Sequence, residues 1–333
     1  MTGPAGTTVM SGQTCMVVMY HYVRDSAATA FPAIRALAPT LFEQQLDWLQ
    51  SHYNVVDLAT FEAALARREK LPESAALLTF DDGFVDHYET VLPALARRQL
   101  TGTFFLSRSA CGASPALLGV HKIHLLLASL GAEAFGRAVL AECALSPARP
   151  SGSRTVFGAD RWEETDDRAI KQLLNYELPY EEADRVLDTL FARHLGDSPA
   201  FARELYLNEA MVREMSAAGM VFGYHTRSHR MLSRLEAEAQ ADELRGGVEW
   251  IRTLTDQASV PFCYPWGGPQ TYSPVTVRLL AEAGYSLAFN TVRRRAVVGQ
   301  DHPFELPRLD TRDLPPYTGG ESDAVTASAA EEG

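Results

Sequence analysis

Two kinds of apolar pattern alternate along the chain. Short runs without a polar face fit strands buried on both sides, and apolar positions recurring every three or four residues fit amphipathic helices. The central run is Ala75–Phe80, and a second is Cys15–Tyr20. Further runs predict strands at Asn54–Asp57, Thr101–Leu106, Met220–Tyr224, Val260–Tyr264, Ser286–Asn290 and Phe304–Leu309. Helical spacing predicts a helix from a Thr40 cap to Gln50, one begun by Thr60, and one over Asp86–Arg98. It also predicts an Asn208-capped helix ended by Gly219, a long helix over Ser233–Thr255, and Ser273–Ala283 ended by Gly284. This alternation predicts an α/β fold with a parallel sheet or barrel.

The rhythm stops from Ser107 to about Tyr206, where helices are expected at Leu117–Leu130, Thr165–Tyr176 and Pro179–His194, with a loop at Ser146–Ser153. The expected organisation is a flexible lead-in (1–13), one barrel-like domain (14–106 and 207–314), a helical insertion (107–206) and a disordered tail (315–333). The insertion could be a lid, a substrate wall or a contact that builds a homo-oligomer. His121 and His124, one helical turn apart, are read as packing histidines rather than metal ligands, since nothing acidic accompanies them.

Charge narrows the partners. A net charge of -12 over 333 residues argues against nucleic acid and anionic membrane, which call for basic patches. No run of about eighteen apolar residues is present, so no transmembrane helix is expected. Met1–Thr14 lacks the basic start and apolar stretch of a secretory signal, and four scattered cysteines are expected as free thiols, so the expected location is cytoplasmic.

The candidate chemistry sits at strand ends, where α/β folds place their sites. Ala75–Phe80 runs into Asp81, Asp82 and Gly83. Side chains diverge along a strand, so one carboxylate can bind a metal while the other handles a proton; a solvated turn is the plain alternative. His225 and His229 follow another strand, and a helical turn there would aim both imidazoles the same way. Two imidazoles and a carboxylate, which Asp82 can supply, make a common open metal site.

Three motifs then carry a resemblance. Thr-Phe-Asp-Asp-Gly at 79–83, His-Thr-Arg-Ser-His at 225–229 and Tyr-Pro-Trp-Gly at 264–267 resemble those of the polysaccharide deacetylase (NodB-homology) family. Met19–Val23 and Leu306–Arg308 are similar to some of its branches, and the resemblance covers roughly residues 14–106 and 207–312. It implies a distorted (β/α) barrel of the NodB-homology type with a helical insertion, one divalent ion, usually zinc, and hydrolysis of an N-acetyl or N-formyl group on an amino sugar, sugar nucleotide or glycan precursor. It implies Asp82, His225 and His229 as metal ligands, Asp81 as general base, and the Trp266 backbone N–H as oxyanion donor, with Tyr264, Trp266 and Arg308 toward the substrate. Two alternatives remain: a hydrolase of a non-sugar or cyclic amide, and a metal-stabilised sugar-binding protein without turnover.

Two positions depart from the family pattern. Cys263 stands where many members have an arginine that holds the base, and no histidine follows Leu306, where many have the general acid. Arg308 is either a structural ion-pair partner or catalytic. His21 ends the first core run and is the candidate acid, with a hydrogen-bonding role toward the site or simple packing as alternatives; His87 is the reserve.

Overall fold

The computed structural model describes residues 13–144 and 165–317. The expectations for residues 1–12, for the loop at 146–153 and for the tail from 318 onward lie outside the described residues. Among those described, one sheet holds β1 (Thr14–Tyr20), β2 (Asn54–Val55), β3 (Ala75–Phe80), β4 (Thr103–Leu106), β5 (Val221–Tyr224), β6 (Phe262–Cys263), β7 (Ala288–Phe289), β8 (Ala296–Val297) and β9 (Leu309–Asp310).

The main path runs β7-β6-β5-β4-β3-β1-β8, with β2 added along β3 and β9 along β1. All pairs are parallel except β1 with β8. The segment 306–310 curls the sheet onto itself. Leu306 bridges Phe289 of β7, and three residues later Leu309 pairs with Val18 of β1. The result is the distorted (β/α) barrel expected from the sequence.

Alternation along the strands divides the core. Cys15, Val17, Leu77, Phe105, Cys263 and Phe289 belong to the cluster that the curled sheet encloses. Their neighbours Met16, Val18, Leu78, Phe80, Phe104 and Phe262 face the surrounding helices. Strands buried on both faces need apolar side chains at every position, which is why these runs show no polar stripe. Phe105 fills the barrel opposite Gly223, where a Cβ would lie 2.5 Å from its ring. Leu58, Phe61 and Ala64 of the helix Leu58–Leu65 complete the same inner cluster.

Between β4 and β5 the described chain contains helices and no strand, among them Gly119–Leu130, Tyr180–His194 and Ser198–Leu205. It docks on the barrel's carboxyl face. The Val85 N–H donates to Leu205 O and the Leu207 N–H to Gly83 O, both at 2.8 Å, so residues 205–207 lie along the turn that follows β3. The Tyr180 hydroxyl accepts from the Met231 N–H at 3.0 Å, and Arg230 pairs with Asp184 at 2.6 Å.

Several local expectations are corrected. The long helix expected over Ser233–Thr255 is two, Ala237–Leu244 and Gly247–Thr255. Gly246 turns the chain at φ +70°, and a Cβ on Gly247 would meet the Tyr285 hydroxyl at 2.2 Å. The first helix begins at Pro39 rather than at a Thr40 cap, and Asp57, not Thr60, caps the second by accepting from the Thr60 N–H at 2.7 Å. The helix expected from Asp86 opens with a wide turn at His87–Val91. No helix among the described residues is long and apolar enough to cross a membrane, and the four cysteines are unpaired.

Candidate metal and catalytic site

Strand parity delivers the first set of polar side chains. The inward positions of β3, Leu77 and Thr79, continue to Asp81; those of β5 continue to His225; on β6 the inward residue is Cys263. One ligand-type atom from each of Asp81, His225 and Cys263 lies within 4.8 Å of the others.

Asp82 turns the other way. Its φ of +75° ends β3 in a left-handed turn, and its carboxylate meets the two motif histidines. Asp82 Oδ1 lies 3.6 Å from His225 Nε2 and 3.3 Å from His229 Nε2. No helical turn forms at 225–229. Instead Thr226 and His229 both take positive φ, +64° and +58°, and the His229 N–H donates to Thr226 Oγ1 at 2.9 Å. Trp266, in the third motif, stands at +68°. Such backbone costs a non-glycine residue about 1 kcal/mol or more, so it persists where surrounding contacts dictate it.

Hydrogen bonding and burial set the electronic state. The His225 Nδ1–H donates to the Cys263 carbonyl at 2.7 Å, which leaves the Nε2 lone pair facing Asp82. Burial, with His229 nearby, pushes the His225 imidazole down to about 4, so it is neutral at pH 7. Burial works against the Asp82 carboxylate, but His121 and His229 outweigh it and hold the group well below the usual range. Asp82 Oδ1 is nonetheless buried without a hydrogen-bond partner among the described residues. An orphaned carboxylate oxygen beside two imidazole nitrogens fits a divalent cation.

The set Asp81, His225 and Cys263 does not fit one, because an arginine already occupies it. Arg308 is 1% exposed. Its Nη1 donates to Asp81 Oδ1 at 2.8 Å and its Nη2 to Asp81 Oδ2 at 2.7 Å and Cys263 Sγ at 2.9 Å. Its Nε donates to Asn290 O at 3.0 Å. Burial alone would raise the Asp81 pKa, yet Arg308 brings it down to about 2. Arg308 therefore has no face left for a substrate, which corrects its expected placement there.

The remaining expected residues divide. The His21 side chain is 42% exposed, with Nε2 3.9 Å from Asp81 Oδ2, so it opens onto the same mouth. His87 is buried among Phe80, Phe84 and Phe104, donates from Nε2 to the His21 carbonyl at 3.0 Å and does not reach the site. Trp266 is partly exposed between His229 and Tyr176, with ring centroids 5.7 and 5.8 Å away. No acceptor for its backbone N–H is found among the described residues. Tyr264 is a correction. It is buried, stacks on Tyr272 and donates its hydroxyl proton to Phe304 O at 2.8 Å, so it backs the wall rather than facing the groove.

Sequence spacing reads His121 as a packing residue, but the structure brings it to the site. Its Nε2 lies 3.2 Å from Asp82 Oδ2 and its Nδ1 2.5 Å from the Tyr206 hydroxyl. The carboxylate it meets is 39 residues away, so no local pattern could reveal it. His124 points instead to the Tyr22 hydroxyl at 3.4 Å.

Known proteins agree with this architecture. The family model for polysaccharide deacetylase matches residues 68–122 and 162–288. YxkH of Bacillus subtilis (strain 168), itself a candidate polysaccharide deacetylase, is 26% identical over 110 residues, 33% of this chain and 34% of that protein. The poly-beta-1,6-N-acetyl-D-glucosamine N-deacetylase of Escherichia coli (strain K12) is 35% identical over 82 residues, 24% of this chain and 12% of that protein. The matches thus span about a third or less of these relatives. Among solved structures, the Streptococcus pyogenes deacetylase PplD superposes with a TM-score of 0.55 at 17% identity, covering 90% of this chain and 92% of that one. IcaB from Ammonifex degensii gives 0.52 at 19% identity, with the same coverages. With a family match over more than half of its length, a barrel of the same fold and the three motifs at its strand ends, this chain belongs to the polysaccharide deacetylase family.

Proposed function

We propose that this chain is a metal-dependent hydrolase that removes an N-acetyl or N-formyl group from an amino sugar, sugar nucleotide or glycan precursor. The observation that carries this reading is the convergence of Asp82, His225 and His229 within 4.8 Å, beside an Asp81 locked by Arg308. Asp82, His225 and His229 would hold one divalent ion, and the mixed nitrogen and oxygen donor set suits zinc. When bound, such an ion supplies Lewis acidity, which makes water a better nucleophile near neutral pH and polarises an amide carbonyl.

The chain's own groups do the rest. Asp81, kept ionised by Arg308, accepts the proton of the attacking water. The Trp266 N–H, for which no acceptor is found among the described residues, would donate to oxyanion charge as the acyl carbon becomes tetrahedral. His21, exposed beside Asp81, is the proton donor to the departing amine. Trp266 and Tyr176 form an aromatic wall for a sugar face.

We read residues 14–106 and 207–314 as the catalytic domain and 107–206 as an insertion that walls it, a reading supported by Tyr176 beside Trp266. The unpaired thiols support a reducing compartment, so the proposed location is the cytoplasm. The test is a panel of N-acetylated and N-formylated sugars and sugar nucleotides, with a cyclic amide control, assayed with added zinc. Free amine together with acetate or formate is the expected product. Turnover of the cyclic amide alone would replace the sugar substrate, and sugar binding without turnover of any member would make the chain a binding protein.

A further inference from the structure

The helical segment between β4 and β5 sends one imidazole into the proposed metal centre. His121 is fully buried in the first turn of the helix Gly119–Leu130. It faces Asp82 Oδ2, while the two motif histidines face Oδ1. The Asp82 carboxylate is thus divided, one oxygen toward the expected ion and one toward the helical segment.

Hydrogen-bond accounting fixes the direction of this contact. The Tyr206 hydroxyl accepts from the Leu118 N–H at 3.2 Å, so its own proton is free for His121 Nδ1 at 2.5 Å. With Nδ1 accepting, the ring's proton sits on Nε2, where it donates to Asp82 Oδ2. The opposite tautomer would set a nitrogen lone pair against a carboxylate oxygen and leave a buried tyrosine proton without its acceptor. Backbone pairing holds Tyr206 in place, since its neighbours Leu205 and Leu207 bond to Val85 and Gly83 across the turn that carries Asp82. Phe84, in that turn, packs on both Tyr206 and His121.

We infer that His121 is a positioning residue: through the relay Tyr206 to His121 to Asp82 it fixes the rotamer of Asp82, so that Oδ1 and not Oδ2 is presented to the metal. His121 lies outside the compact ligand sets, whose donor atoms are all within 4.8 Å of one another, so it acts on the ion through the carboxylate. Hydrogen bonds that orient metal ligands typically change affinity by about 10–100-fold. The inference rests on the metal reading above, and it gives the segment outside the barrel a defined task in that reading.

The test measures metal affinity on the full chain by competition with a chromophoric chelator, using zinc and cobalt, and records the visible ligand-field spectrum of the cobalt form. Four proteins are compared: wild type, His121→Ala, His121→Gln and Tyr206→Phe. The Ala variant is expected to bind about 10–100-fold more weakly. Gln, which can still offer an N–H to Asp82, should recover part of that loss. Tyr206→Phe keeps the ring packing, removes only the proton that sets the tautomer, and should weaken binding by a smaller factor. The cobalt bands should keep their positions in every variant, because the ligand set does not change. Equal affinity in wild type, Gln and Phe variants would overturn the inference even if the Ala variant fails to fold. A cobalt spectrum that loses the signature of one nitrogen ligand on replacing His121 would also overturn it, by making His121 a ligand. Failure of the wild-type chain to bind either metal would overturn the metal reading itself, and this inference with it.

Discussion

Arg308 and Asp81, 227 positions apart, meet in a two-pronged ion pair buried inside the barrel. The pair stands where many family members would use an arginine at position 263. Here Cys263 occupies that place, and its sulfur accepts from the same guanidinium. The cation reaches the Asp81 carboxylate from the closing segment instead. Replacing Arg308 by Met should leave Asp81 buried without a counter-charge and cost about 3–5 kcal/mol. Arg308→Lys should cost less stability but lose the parallel geometry that fixes the carboxylate, so its turnover should fall further than its unfolding midpoint suggests. Urea unfolding and kcat on the same preparations test both statements, and a Met variant as stable as wild type would refute the first.

Asp81 and Asp82 are adjacent but are proposed for different work. Asp81→Asn should keep the metal, because Asp82 and the two histidines are untouched. It should lose turnover by about two to four orders of magnitude, the usual worth of a general base. Metal content after dialysis and kcat on the best substrate of the panel decide it. A variant that keeps near-normal kcat removes Asp81 from the base role.

The parts legible in the sequence lie at the ends of apolar runs. Ala75–Phe80 reads as a doubly buried strand, and the polar residue after such a strand lands at the barrel mouth, which holds for Asp81 and His225. Runs report burial rather than pairing, so Val260–Tyr264 looked like a full strand while only Phe262 and Cys263 pair as one where the sheet curls. Long-range partnerships left no local trace. Arg308 could be named as an ion-pair candidate but not matched to its carboxylate. His121 looked like a packing residue because its carboxylate belongs to another element. Tyr264 shared a motif with Trp266, yet its ring stacks inward on Tyr272. The left-handed backbone at Thr226 and His229 depends on tertiary contacts, which residue spacing does not encode.

Buried neutral histidines make the metal-free protein sensitive to acid, with a predictable sign. Burial lowers both His87 and His225 from 6.5 to about 4. Below pH 6.5 the unfolded chain takes up protons that the folded chain refuses. The stability they confer is therefore complete above that pH and is lost as pH falls toward 4. Each histidine adds up to about 1.4 kcal/mol per pH unit to the slope within this window. Asp81, lowered from 3.8 to about 2, extends the loss below pH 4. His87→Phe, set among Phe80, Phe84 and Phe104, should flatten the slope between pH 6.5 and 4 by about one proton. Urea unfolding of metal-free protein at a series of pH values measures it, and an unchanged slope would contradict the burial argument.

The departing amine sets the last expectation. Amide cleavage expels a poor leaving group, so a proton must reach nitrogen as the C–N bond breaks. No histidine follows Leu306, and His87 is buried away from the mouth with its Nε2–H committed to the His21 carbonyl. His21 is exposed, lies 3.9 Å from Asp81 and can collect the proton that Asp81 takes from water. His21→Ala should therefore keep metal binding and lose about 100-fold or more in kcat on the amide. An activated ester of the same acyl group carries a leaving group that departs without a proton, so the same variant should be largely spared on it. His87→Ala should show no such split, because its contact with the site runs only through the backbone of His21. Equal losses on amide and ester in His21→Ala would leave His21 a positioning partner of Asp81 and send the search for the acid elsewhere.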